Sequence, residues 1–405
     1  MAEVVLVTGG SGYIAGWCIA ELLRAGYEVR TTVRDEGKAK AVVDAVSTVV
    51  DPAGRLGFAV ADLTVDDGWD AAVKGVDRVL HVASPLGGAD PGNPDAIIAP
   101  ARHGALRVLR AATGAGVRRV VMTSAANAAS PSSYATEGVT DETLWTDPDD
   151  PTLIPYRRSK TLAERAAWDF MDSHPGPTEL TTVLPGAVFG PILTTGNIGS
   201  VGIVGRMISG AMPGIPRIGL EIVDVRDLVD IHIRAMTSPD AAGQRFLATG
   251  EFTWMSEMAR ILREGLGADG RRVSTRQVPD FVVRLAARFR DPSLREITPA
   301  LGRRNRHSTE KAWRVLVAAP ARPRDRTGLR PKPHRAPRRR KHPSVGPVAR
   351  RRRGRPRCRV GAILAANLVP GSPTNRGPRS EAGVRTRFSS PYRAADRIRG
   401  PVPRR

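Results

Sequence analysis

A glycine-rich turn at the start of the chain, Thr8-Gly9-Gly10-Ser11-Gly12-Tyr13-Ile14-Ala15, constrains the fold more than any other feature. It sits between a β-branched run, Val4–Thr8, and a helical pattern, Ile14–Arg24. Gly9 permits a tight turn, Gly12 lets the backbone come close to a ligand, and Ala15 is small enough for a helix to pack on a strand. A helix N-terminus carries unpaired N–H groups and the positive end of the helix dipole, so an anion such as a pyrophosphate fits there. Gly9, Gly12, Tyr13 and Ile14 are the candidate contacts to such a group. A glycine pattern alone is weak evidence; the strand before it and the helix after it make the reading specific.

The alternation continues. Glu28–Val33, Leu56–Ala61, Arg78–Val82, Arg119–Thr123 and Leu180–Leu184 read as strands, and Tyr156–Met171 as a long helix. Strands alternating with helices imply βαβ units and a parallel sheet, with ligands at the carboxyl ends of its strands. Beyond Gly186 the pattern loosens. Ile222–Val225 and Arg245–Leu247 look like returning strands, and Ser256–Gly265 and Phe281–Arg288 like helices. The fold class expected is α/β, a doubly wound parallel sheet over residues 1–190 with a small substrate lobe over 191–316 that sends segments back to the sheet.

Charge divides the chain differently. The whole sequence carries 62 Lys+Arg against 40 Asp+Glu, a net +22, but residues 317–405 alone hold 26 against 3 and 14 of the 33 prolines. The first 316 residues are therefore near neutral. Such a tail has too little apolar surface to fold and is expected to be disordered. It reads either as a nucleic-acid-binding extension, since arginine clusters neutralise phosphates, or as the out-of-frame continuation of a GC-rich gene, which is the favoured reading. Two cysteines, Cys18 and Cys358, make no disulfide framework. No apolar run approaches the ~20 residues that span a bilayer. A cytoplasmic protein with no membrane partner is expected. The seven histidines form no metal-ligand pattern.

Two further groups carry chemistry. At the end of the second strand, Arg34 is suited to a 2′-phosphate, with Lys40 adding charge, which favours NADP(H). Asp35 is suited to a ribose 2′-hydroxyl and keeps NAD(H) open. Tyr156 and Lys160, four apart, share one helical face. A cation beside a phenol lowers its pKa and fits it for proton transfer to a carbonyl oxygen as a hydride arrives. Lys160 is also placed to hold a nicotinamide ribose.

The glycine loop, Asp62-Leu63, His81-Val82-Ala83-Ser84-Pro85, the Tyr/Lys pair and Leu184-Pro185-Gly186-Ala187-Val188-Phe189-Gly190-Pro191 occur in the order seen in extended short-chain dehydrogenases. Over residues 1 to about 316 the chain resembles the dihydroflavonol 4-reductase and aldehyde reductase branch of the NAD-dependent epimerase/dehydratase family. The resemblance implies a Rossmann-type fold and NADPH-dependent reduction of an aldehyde or ketone, dihydroflavonol-like or otherwise hydrophobic, and suggests a homodimer. It implies that Asp62 and Leu63 contact adenine, that Ala83 and Ser84 line the cofactor, and that Pro185, Gly186 and Val188 sit beside the nicotinamide. Without it, Asp62 reads as a cap and Pro185-Gly186 as a turn. One position departs from the family: the residue after Thr123-Ser124, where a catalytic Ser or Thr belongs, is Ala125. Ser124 is the candidate replacement, with Asn127 behind it. Alternative readings are a nucleotide-sugar epimerase or dehydratase, and a non-catalytic cofactor-binding protein with a nucleic-acid-binding tail.

Overall fold

The computed structural model describes residues 2–85, 95–131, 138–193 and 199–318. The proposed tail, with both readings of it, lies outside the described residues from 319 onward. The described residues fall in one compact unit.

The first half runs β1 (Val4–Val7), α1 (Tyr13–Arg24), β2 (Glu28–Val33), α2 (Gly37–Ser47), β3 (Leu56–Val60), α3 (Trp69–Val73), β4 (Arg78–His81), α4 (Asp95–Gly114) and β5 (Arg119–Thr123). Then come β6 (Gly138–Thr140), α5 (Pro155–Ser173), β7 (Glu179–Pro185), β8 (Ala187–Phe189), α6 (Val201–Ile208), β9 (Gly219–Asp224), α7 (Val225–Thr237) and β10 (Gln244–Ala248). The last elements are β11 (Glu251–Trp254), α8 (Met255–Leu266), α9 (Asp280–Phe289), β12 (Asn305–His307) and α10 (Glu310–Ala312).

Seven strands form one sheet in the order β10-β7-β5-β4-β1-β2-β3, parallel throughout. Central strands of such a sheet are covered on both faces, which is why β1 and β5 read as continuous apolar runs rather than alternating ones. On one side α1 packs against α7, and on the other α4 against α5. The chain reverses direction across the sheet between β1 and β4, so a crevice opens at their carboxyl ends.

Beyond β7 the chain builds a second, three-stranded sheet, β11-β9-β8. β10 leaves this lobe and pairs with β7 from Gln244↔Thr181 to Ala248↔Pro185. α7 follows β9 without a break because Asp224 caps it, accepting the Arg226 amide at 2.8 Å and its guanidinium at 2.7 Å. A short ladder of β12 on β6 ties the end of the described chain to the loop after β5. Among the described residues, no helix is long and apolar enough to cross a membrane.

Candidate active site

The glycine turn is held from three sides. The Gly9 amide donates to Thr32 Oγ1 at 2.8 Å and the Gly10 amide to the Thr32 carbonyl at 2.9 Å. Gly9 has φ +72°, and a Cβ there would stand 2.9 Å from that of Ala83. A Cβ on Gly10, a position the sequence reading gave no role, would meet Thr31 Oγ1 at 2.5 Å. No side chain caps α1, so its first-turn amides face the turn without a side-chain acceptor. The Tyr13 ring is buried and its hydroxyl has no partner among the described residues, beside Gly190 and within the field of Asp224. Ile14 packs on the core. Both therefore offer backbone, not side chain, to a ligand.

Thr8 Oγ1 accepts from the amides of Val82 (3.1 Å) and Ala83 (3.0 Å). Its own proton must then go to His81 Nδ1, 2.9 Å away, which leaves the imidazole proton on Nε2. Burial, with Lys160 nearby, brings the His81 pKa down to about 3, so the ring is neutral. It is a packed histidine beside the crevice.

Arg34 is exposed just beyond β2, makes no hydrogen bond or ion pair among the described residues, and acts electrostatically on Asp62. Lys40 is committed elsewhere, to Asp44 one turn along α2 at 2.7 Å. Both expected cations are exposed, Arg34 without a partner among the described residues and Lys40 in a surface pair. Asp62 Oδ1 takes both the amide and the hydroxyl of Thr64 at 2.7 Å, so it caps a turn, as its residue type suggests. Leu63 packs so closely on α4 that a Cβ on Gly104 would stand 2.9 Å from its own.

Pro155 opens α5, and Tyr156 and Lys160 occupy its first two turns. Lys160 is buried and donates to Ser84 Oγ at 3.0 Å, which joins the Tyr/Lys helix to the loop after β4. Burial brings the Lys160 pKa down to about 8, against the pull of Glu164. The tyrosine departs from expectation. Its phenol is pushed up by burial, with no cation lowering it. At neutral pH it therefore carries its proton.

Ser124 is not positioned as the sequence reading required. Its hydroxyl donates to Glu164 Oε2 at 2.6 Å, inside the protein. Side chains alternate along an extended strand: Thr123 bonds His232 at 2.8 Å, Ser124 turns to Glu164, and Ala125 presents a buried methyl. Asn127 has its carbonyl taken by Thr146 Oγ1 at 2.6 Å, and its amide has no partner among the described residues. Glu164 is fully buried and also accepts from Thr182 Oγ1 at 2.7 Å and Arg245 Nε at 2.8 Å. Arg245 in turn lies 3.5 Å over the Trp145 ring and donates to the Glu142 carbonyl at 2.7 Å. The sequence reading missed this cluster. The available signal was Glu164 one turn beyond Lys160, on the core-facing stripe of α5.

Pro185 ends β7, and Val188 is buried in β8. Between them, a Cβ on Gly186 would stand 2.4 Å from the Glu221 carbonyl oxygen of β9. Since that neighbour is backbone, Gly186→Ala is expected to cost about 1–3 kcal/mol as an overpacking change. Calorimetry should show a lower Tm, and an unchanged Tm would mean that β9 yields freely. Among the described residues, no group of three His, Cys, Asp or Glu stands ready to hold a metal.

The glycine turn, Arg34, Ser84 and Pro185-Gly186 lie at the carboxyl ends of β1, β2, β4 and β7, and Lys160 reaches Ser84 from α5. The chain is similar to a cinnamoyl-CoA reductase of Medicago truncatula, 37% identical over 270 residues, covering 65% of this chain and 81% of the relative. A dihydroflavonol 4-reductase of Zea mays is 33% identical over 270 residues, covering 64% and 73%. In fold, the chain is similar to yeast methylglyoxal/isovaleraldehyde reductase Gre2, solved with NADPH, at a TM-score of 0.65 and 23% identity, covering 78% of this chain and 93% of that one. The model of the NAD dependent epimerase/dehydratase family matches residues 5–248, and the chain belongs to that family, in its extended short-chain reductase branch.

Proposed function

We propose that the protein reduces an aldehyde or ketone to an alcohol with NADPH. The observation that carries this reading is the bond from Lys160 to Ser84 beside the glycine turn, with Tyr156, a phenol that burial keeps protonated, one turn before Lys160 on α5. When bound, the cofactor supplies the hydride. The first-turn amides of α1, from Gly12 through Tyr13 and Ile14, hold its pyrophosphate, with Gly9 shaping the turn. Arg34 pairs with the 2′-phosphate; Asp62 and Leu63 flank the adenine; Ala83, Pro185, Gly186 and Val188 line the rest. Lys160 and Ser84 hold the nicotinamide ribose. Tyr156 gives its phenolic proton to the carbonyl oxygen, so carbonyl, hydride and proton together make the alcohol. The names of the two plant relatives support a hydrophobic, aromatic carbonyl substrate. The buried free thiol of Cys18 fits a cytoplasmic setting.

The test is NADPH oxidation by the purified protein across a panel of aromatic and aliphatic aldehydes and ketones. Turnover of a nucleotide sugar with no net NADPH consumption would replace reduction by epimerase or dehydratase chemistry. Cofactor choice has its own test. Arg34→Ala is expected to weaken NADPH binding about 10- to 100-fold, as loss of a charged hydrogen-bond pair does, and to leave NADH binding unchanged. Fluorescence titration with both cofactors reads this, and equal losses for the two would remove Arg34 from the phosphate site.

A further inference from the structure

We propose that Glu164 is a positioning residue that keeps Lys160 charged, with Arg245 setting the strength of its effect. The inference rests on the reading of Lys160 as the partner of the proton donor. Glu164 lies one turn beyond Lys160 on α5, and residues four apart share a helical face. Lys160 faces the Ser84 hydroxyl from the loop after β4, neutral His81 from β4 itself, and Tyr156 one turn earlier. It has no carboxylate within ion-pair distance among the described residues. The charge that favours its ammonium form is that of Glu164, rather than of Arg245 behind it.

Glu164 is built to stay in place. Ser124 from the end of β5, Thr182 from β7 and Arg245 from β10 all donate to it, and none of the four side chains is more than slightly exposed. Arg245 is itself fixed by the carbonyls of Glu142, Leu144 and Ala128. The Glu142 carboxylate, the other acid in this cluster, is taken up by the Leu247 amide at 2.9 Å. Three sheet strands thus hold one carboxylate under the site. Ser124 serves this carboxylate, which accounts for its turning away from the position expected of a catalytic hydroxyl.

The test is direct titration of Lys160 by NMR in protein labelled at the lysine ε-carbon. The chain has seven lysines, and the Lys160 signal is the one lost in Lys160→Met. Glu164→Gln keeps the shape but leaves Arg245 as an unopposed cation, so the Lys160 midpoint should fall by about one pH unit or more. Glu164→Gln with Arg245→Gln restores neutrality and should recover at least half of that fall. An unchanged midpoint in folded Glu164→Gln protein, or an equal fall in the double variant, overturns the proposal. If Glu164→Gln does not fold, Arg245→Gln tests the same idea with the opposite sign: the midpoint should rise, and a fall or no change overturns it. Where the protein reduces a carbonyl, the alkaline limb of kcat/KM should move with the midpoint. The midpoints are measured without cofactor or substrate, so failure of the reductase reading and failure of this one are distinguishable.

Discussion

Tyr156→Phe is expected to lower kcat/KM for carbonyl reduction by about 10²–10⁴, the usual worth of a placed general acid, while leaving NADPH binding within about twofold. The substitution removes one oxygen from a half-buried ring. That oxygen has no hydrogen-bond partner among the described residues, so the ring should pack as before and stability should change little. What is lost is the proton. Burial holds the phenol in its protonated form. His81 keeps its Nε2 proton at all ordinary pH, because the Thr8 hydroxyl bonds its other nitrogen. Stopped-flow NADPH oxidation would measure the loss, and protein fluorescence the binding. Full activity in the variant would mean that the proton comes from water or another group, and Tyr156 would lose its proposed role.

The central sheet was legible because burial on both faces leaves a coarse signal. Glu28–Val33 and Arg119–Thr123 are strands at the bounds the sequence suggested, and α5 and β10 extend theirs by one or two residues. α7 was missed for a physical reason. Its first apolar residue, Val225, continues the apolar end of β9 with no Gly or Pro between, and only the Asp224 cap marks the change. β6 and β12, three residues each and about 165 apart in sequence, have no local signature, since each is a strand only because of the other. In the site, local geometry was readable: the glycine turn, and the spacing of Tyr156 and Lys160. Long-range partners were not. The sequence shows Ser124 as a free hydroxyl; the fold gives it a carboxylate, Glu164, 40 residues away. The Tyr156 shift failed for a related reason. Pattern places a lysine near the phenol, but burial decides which way the phenol moves.

Ala125→Ser is expected to raise kcat for carbonyl reduction about tenfold or more, with KM little changed. A single donor to a developing oxyanion contributes about 10²–10³ in rate, and the native chain has a methyl where the resemblance places that donor. Ser124 cannot take over the work without abandoning Glu164, its partner at 2.6 Å in a fully buried cluster. Breaking that bond would leave a carboxylate lone pair unsatisfied away from water, at a cost of about 1–3 kcal/mol. The next residue carries no such obligation. Ala125 is extended, at φ −153° and ψ 149°, at the start of a short turn, and is buried. A hydroxyl there adds one atom and competes with no hydrogen bond already made. A gain in kcat that disappears when Tyr156→Phe is added would show the two hydroxyls acting on one oxygen, since residues working as a unit are not additive. No gain, in a variant with unchanged Tm and NADPH affinity, would mean that Tyr156 alone supplies the oxyanion's donor. The position of Ala125 would then mark a substrate whose carbonyl needs only one hydrogen bond to react.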